Sequence, residues 1–235
     1  MLSVAARYAA IALTRQGDRL SKSTTVNNNH RRNTLHQFPQ PAYNVVALGA
    51  SLGGLKAISQ ILSALPADFP AAIAVVQHLC PLYPSHMADI LNRCTSLRVK
   101  QAAPGDALRP GTVYIAPTNN HLKVNPDGTL SLSQSERVNF ARPSADVLFE
   151  SVATSFKDRA IAVVLTGRGQ DGAKGVRAIY KMGGVVIAQK EATCACPSMP
   201  GFAIDTGCVD LVLSPDQIPF ALETLLMTAQ ADASA

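Results

Sequence analysis

The sequence predicts an α/β fold: a mainly parallel, doubly wound sheet with helices on both faces and one antiparallel β-hairpin. Short apolar runs recur along the chain: VVAL (45–48), AIAVVQ (72–77), AIAVVLT (160–166) and VVIAQ (185–189). Stretches of helical spacing separate them. Strands with no polar alternation are covered on both faces, the condition of a parallel sheet between two helix layers. Hydrophobic residues make up 47% of the 235 residues and charged residues 16%, enough apolar material for one domain with a full core.

The elements follow in order. VVAL reads as a buried strand and leads into a helix from about Gly53 to Ala64. AIAVVQ is the second strand and SHMADILNRC (85–94) the second helix. TVYIAP (112–117) is a third strand-like run. HLKVNPDGTLSLS (121–133) alternates on both sides of Pro-Asp-Gly and reads as a hairpin. Pro143 opens the helical stretch PSADVLFESVATSF, as proline does at a first turn. AIAVVLT runs into a loop, Gly167 to Gly172, and a helix to Met182 that Gly183-Gly184 stops. VVIAQ, VDLVL (209–213) and a helix over 215–228 complete the chain.

Residues 1–40 read as a poorly ordered basic tail and residues 41–230 as the catalytic unit. The segment SKSTTVNNNHRRN is polar and poor in apolar residues. The formal net charge is +5. Residues 1–40 carry six basic residues against Asp18, which is +5, and residues 41–235 carry 15 of each sign, which is zero. The domain therefore offers no electrostatic case for nucleic acid. No apolar stretch approaches the roughly 20 residues that span a bilayer. Cys80, Cys94, Cys194, Cys196 and Cys208 are odd in number and include no C-x-x-C, so neither a disulfide framework nor a metal site is expected. No cofactor is expected, and the reading is of a reduced, cytoplasmic protein.

The stretch GASLGG (49–54) admits two chemistries. A dinucleotide cradle needs a second glycine where Ser51 stands, and an acidic residue about 20 positions on. The next acidic residue, Asp68, lies in a Pro-Ala-Asp-Phe-Pro loop. The nucleophile reading fits better. Gly49-x-Ser51-x-Gly53 has the form of a sharp strand-to-helix turn that exposes a serine. Serine needs a base. His78 ends the second strand, and Asp171 lies in the loop after AIAVVLT. Parallel strands open on one edge, so the three side chains can converge there. The order Ser–His–Asp differs from that of α/β-hydrolases, and geometry rather than order defines a triad. Each residue also has a structural reading: Ser51 as a helix cap, His78 as a hydrogen-bonded core histidine, Asp171 as a helix N-cap.

Taken together, GASLGG, QHLCP (77–81), PGTVYIAPTNNH (110–121), RPSADVLFESVA (142–153), LTGRGQDGAKG (165–175), AQKEATC (188–194) and Met199-Pro200 resemble the catalytic domain of the chemotaxis protein-glutamate methylesterases. The resemblance implies a serine hydrolase that cleaves glutamate γ-methyl esters on chemotaxis receptors, with glutamine deamidation alongside in many members. It implies Ser51 as nucleophile, His78 as general base and Asp171 as the group orienting the imidazole. The oxyanion and substrate are expected at Leu52, Gly53, Arg168 and Gly169. The chain departs from the family at Leu52, where threonine is usual, at Arg168, where methionine is usual, and at Ser198, where glycine is usual. No in-chain receiver domain is expected, since residues 1–40 are too short for one. Two alternatives stand beside this reading: an esterase acting on another substrate, and a non-catalytic binding module with the same fold.

Overall fold

The computed structural model describes residues 44–233, and the segment 1–40 lies outside them. Seven strands form one parallel sheet: β1 (Asn44–Ala50), β2 (Ala71–Gln77), β3 (Arg98–Gln101), β4 (Thr112–Ile115), β7 (Ala160–Val164), β8 (Val185–Gln189) and β9 (Leu211–Leu213), in the order β3-β4-β2-β1-β7-β8-β9. β5 (His121–Val124) and β6 (Leu130–Ser133) pair antiparallel as a separate two-stranded sheet, which is the expected hairpin. The helices are α1 (Gly54–Ser63), α2 (Met87–Asn92), α3 (Ala145–Phe156), α4 (Ala173–Lys181), α5 (Ser198–Ile204) and α6 (Ile218–Ala233).

The chain steps outward from β1 on one side through β2, then returns through the hairpin and α3 to β7 on the other. The switch point therefore lies at the carboxyl end of β1, where doubly wound sheets open a crevice. Register aligns the three strand ends there: Ala50 lies opposite Gln77, and Gly49 opposite Val164.

Strand alternation makes the two faces unequal. Val46, Leu48, Ile73, Val75, Ile161 and Val163 meet α1, α2 and α6 in one apolar cluster. Ala47, Ala72, Ala74, Ala160 and Ala162 face the cluster formed with α3, α4, α5 and the hairpin. Small residues on that face let α3 approach closely with Phe149 and Phe156 fully buried. Gly49 extends this: a Cβ there would stand 2.8 Å from the Ala145 Cβ and 3.0 Å from the Phe149 ring. The first turn of α3 is thus pressed against the end of β1.

Some expectations need correction. Pro143 does not open α3; it follows a cis peptide bond, and the helix begins at Ala145 behind Ser144. α2 is shorter than its pattern, and α6 starts three residues later and runs further. β3 and α5 carry too little periodic signal to be anticipated. β3 is a four-residue strand at the sheet edge, and its Arg98 and Lys100 are the kind of charge that guards such edges. α5 contains Pro200 and Gly201, both poor helix formers.

Candidate active site

Ser51 directly follows β1. Its N–H donates to the Thr166 carbonyl at 3.0 Å, and the His78 N–H donates to the Ala50 carbonyl at 3.0 Å. The sheet ladders thus continue one residue past the strand ends and fix both backbones. The Gln77 amide tightens the arrangement, donating through Nε2 to the carbonyls of Ser51 (2.7 Å) and His78 (3.0 Å). Its Oε1 is buried with no hydrogen-bond partner among the described residues and packs against Gly54, where a side chain would collide with it.

The turn that carries Ser51 depends on two glycines. Gly53 has φ +80°, the left-handed region that side chains disfavour. Gly167 lies flat against the turn: a Cβ there would meet the Met199 sulfur, and would stand 2.7 Å from the Ser51 Cβ.

His78 Nε2 lies 2.7 Å from Asp171 Oδ2, with the imidazole partly exposed and the carboxylate 2% exposed. Nε2–H donates to the carboxylate, which leaves Nδ1 as the nitrogen able to accept a proton. Among the described residues the Ser51 hydroxyl has no hydrogen-bond partner, but Ser51 and His78 line one cavity of about 620 Å³. Hydrogen bonds between nucleophile and base are often long in empty sites.

Asp171 accepts three further hydrogen bonds, from the Ser144 hydroxyl (2.6 Å) and the N–H groups of Ala145 (2.6 Å) and Asp146 (3.1 Å). These donors belong to the start of α3, where the helix dipole also favours negative charge. Burial pushes the Asp171 pKa up, but His78, the Ser144 hydroxyl and the Ala145 amide outweigh it and hold the carboxyl below its ordinary value. Asp171 does not cap its own helix: Gly172 occupies that position.

Sequence reasoning missed the support around this carboxylate. Ser144 is completely buried, and its N–H donates to His121 Nδ1 at 3.2 Å. His121 is also completely buried, and its Nε2–H donates to the Glu136 carbonyl at 2.9 Å. This histidine is a structural one. Asp146 accepts the N–H groups of Gly172 (2.9 Å) and Gly175 (2.7 Å) and the Asn139 side-chain amide (2.7 Å). Burial, reinforced by the nearby Asp171 charge, raises its pKa. The motif Pro-Ser-Ala-Asp was visible in the sequence, but its partners lie on another helix.

Of the expected oxyanion and substrate groups, the amides of Leu52, Gly53 and Arg168 have no acceptor among the described residues, whereas the Gly169 N–H donates to Ser198 Oγ at 3.2 Å. Leu52 is 61% exposed. The Leu52 carbonyl accepts from the Thr166 hydroxyl at 3.0 Å, while Gln189 Oε1 accepts the Thr166 N–H at 2.9 Å. Among the described residues, no group of three or more His, Cys, Asp or Glu could hold a metal ion.

A serine on a strand-to-helix turn, a histidine on the next strand end and a buried carboxylate behind it form an arrangement that serine hydrolases use. The comparisons agree with that class and narrow it. Residues 46–222 match the family model described as CheB methylesterase, and the chain belongs to that family. It is 44% identical over 184 residues to the protein-glutamate methylesterase FrzG of Myxococcus xanthus, covering 78% of this chain and 55% of that protein. A putative protein-glutamate methylesterase/protein-glutamine glutaminase of Leptospira interrogans is 39% identical over 176 residues, covering 75% of this chain and 91% of that one. The crystal structure of the Thermotoga maritima CheB methylesterase catalytic domain superposes with a TM-score of 0.76 at 37% identity, covering 78% of this chain and 99% of that chain. The chain spans little more than half the length of the Myxococcus relative.

Proposed function

We propose that this chain is a protein-glutamate methylesterase: a serine hydrolase that cleaves γ-methyl esters of glutamate on chemotaxis receptor helices and releases methanol. The observation that carries this is the 2.7 Å contact of His78 Nε2 with Asp171, beside Ser51 at the switch point of the sheet. In this mechanism His78 Nδ1 takes the proton from the Ser51 hydroxyl as its oxygen attacks the ester carbonyl. The Leu52 and Arg168 amides meet the oxyanion. The tetrahedral intermediate collapses to an acyl-enzyme, and methanol departs with the proton from His78. Water, deprotonated by the same nitrogen, then releases the glutamate carboxylate. Asp171 keeps Nδ1 free and stabilises the imidazolium.

A glutamine side chain enters the same sequence with ammonia as leaving group. The relatives' names, which join methylesterase to glutaminase, support this second activity. The catalytic unit is residues 41–230. The receptor helices set the site of action in the cytoplasm. No helix among the described residues is long and apolar enough to cross a membrane. The test is methanol release from a methylated chemoreceptor cytoplasmic fragment, with ammonia release from its glutamine-bearing form measured in parallel. Methanol from the first substrate is the expected result. A folded enzyme that releases none from it refutes the reading.

A further inference from the structure

Two cavities of opposite character meet at His78. The larger, on the Ser51 side, is walled by apolar groups, among them the exposed Leu52, Leu55, Tyr83 and Ile90. The smaller, about 210 Å³ on the Asp171 side, has Arg137, Arg142 and Arg168 on its wall. The carboxylate on that wall, Asp171, is committed to His78 and the start of α3. A carboxylate arriving from outside thus meets cations there and no free anion.

The three arginines differ in use. Arg142 donates to Asn119 Oδ1 (2.8 and 3.0 Å) and to the carbonyls of Gln134 and Ser135, so it fastens the segment beneath. Arg137 and Arg168 are exposed, and neither has a hydrogen-bond or ion-pair partner among the described residues. The backbone around Arg168 is held. Gly167 N–H donates to the Cys196 carbonyl at 2.9 Å, and Gly169 exchanges bonds with the Ser198 hydroxyl. The Ser198 hydroxyl therefore fixes the loop that carries Arg168. Residues 41–235 are electrically balanced, so two unpaired cations at this mouth are a local arrangement, not the overflow of a basic domain.

The rim carries one more element. Val138 and Ala141 exchange both backbone hydrogen bonds, at 3.1 and 2.9 Å, around Asn139 and Phe140, whose φ angles are +50° and +63°. An aromatic residue in the left-handed region is uncommon. This one is 98% exposed beside the arginines, and aromatic residues and arginine are the types that anchor protein contacts.

We propose that Arg137 and Arg168 form a carboxylate-binding subsite, and that the enzyme selects esters borne on acidic amphipathic helices. The helix lays its apolar face in the larger cavity and directs an acidic side chain near the ester between the two arginines. This deepens the methylesterase reading and rests on it. Arginine suits the role because its fork of donors matches a carboxylate. Partly exposed pairs contribute modestly, so the expected selectivity is about three- to ten-fold.

The test uses the full chain and two synthetic helical peptides from a chemoreceptor methylation region. Each carries one γ-methyl glutamate, with glutamate or glutamine at the positions one turn away. The wild type is expected to favour the glutamate peptide about three- to ten-fold in kcat/KM, through KM, with the preference fading as salt screens it. In Arg137→Gln/Arg168→Met the ratio falls to about one, and Arg168→Glu turns it towards the glutamine peptide. Equal use of both peptides by the wild type overturns the proposal while leaving the methylesterase reading intact. A preference that survives in the double variant overturns the assignment to these arginines. Methanol from neither peptide, with 4-nitrophenyl acetate still hydrolysed, overturns the methylesterase reading and this proposal with it.

Discussion

Asp171 and Asp146 each cap the other's helix. Asp171 lies in the loop before α4, yet it accepts the N–H groups of Ala145 and Asp146 at the start of α3. Asp146 lies in the first turn of α3, yet it accepts the N–H groups of Gly172 and Gly175 at the start of α4. The exchange locks the two helices together at the carboxyl ends of β1 and β7. It also explains how a carboxylate stays ionised in a buried place, since helix amides supply the donors that water would otherwise provide.

Asp146→Asn tests this lock. One carboxylate oxygen becomes an NH₂ group, which then faces either the two glycine amides or the Asn139 side-chain amide. Leaving buried donors unpaired costs about 1–3 kcal/mol. Urea unfolding should show that loss, and kcat should fall with it because Asp171 loses its fixed seat.

Ser144→Ala removes the 2.6 Å hydroxyl bond to Asp171. A bond to a charged group contributes about 1.5–3 kcal/mol. The Asp171 carboxyl titrates below its ordinary 3.8 in the folded protein. Its stabilising effect is therefore complete above that value and is lost as pH falls through the folded value. The stability gap between wild type and variant should be full at pH 7 and shrink below pH about 4, when the charge is lost. Unfolding curves across that range check it.

Gly167→Ala introduces a methyl group against the Ser51 Cβ and the Met199 sulfur. Overpacking of this kind costs about 1–3 kcal/mol. Because the displaced Cβ carries the hydroxyl proposed as nucleophile, kcat should fall by about 100-fold, as small misplacements at reacting atoms do. Steady-state kinetics beside a melting curve separate the two effects.

Burial pushes the Cys194 thiol up to about 11. It should remain protonated and slow to react at pH 8, since the thiolate is the reactive form. Cys80 and Cys94 are exposed and should be modified first in a time-resolved thiol titration followed by peptide mapping.

The sheet and two members of the site were legible because their signals are local. Ser51 comes three residues after the run VVAL and His78 directly after AIAVVQ, so strand ends place them. Asp171 is five residues beyond the run ending at Thr166, and the loop alone does not say which helix its carboxylate serves. Its reading as a cap proved right in kind but attached to the wrong helix, because the contact joins residues 25–27 positions apart. His121, Ser144 and Asp146 were silent for the same reason: each acts through partners that only the tertiary fold brings near. Arg168 stood out in the sequence as a departure, but Arg137 did not, because nothing local shows that its loop returns to the mouth.

A serine activated by a histidine and a carboxylate, the role proposed for Ser51 with His78 and Asp171, reacts covalently with electrophilic phosphonates. The most direct measurement is labelling of the full chain with a fluorophosphonate, with the adduct located by peptide mass spectrometry. One adduct is expected, on Ser51, formed at least about 100-fold more slowly in His78→Gln, as loss of a general base requires. An unlabelled folded protein, or an adduct elsewhere that persists in Ser51→Ala, would contradict that role.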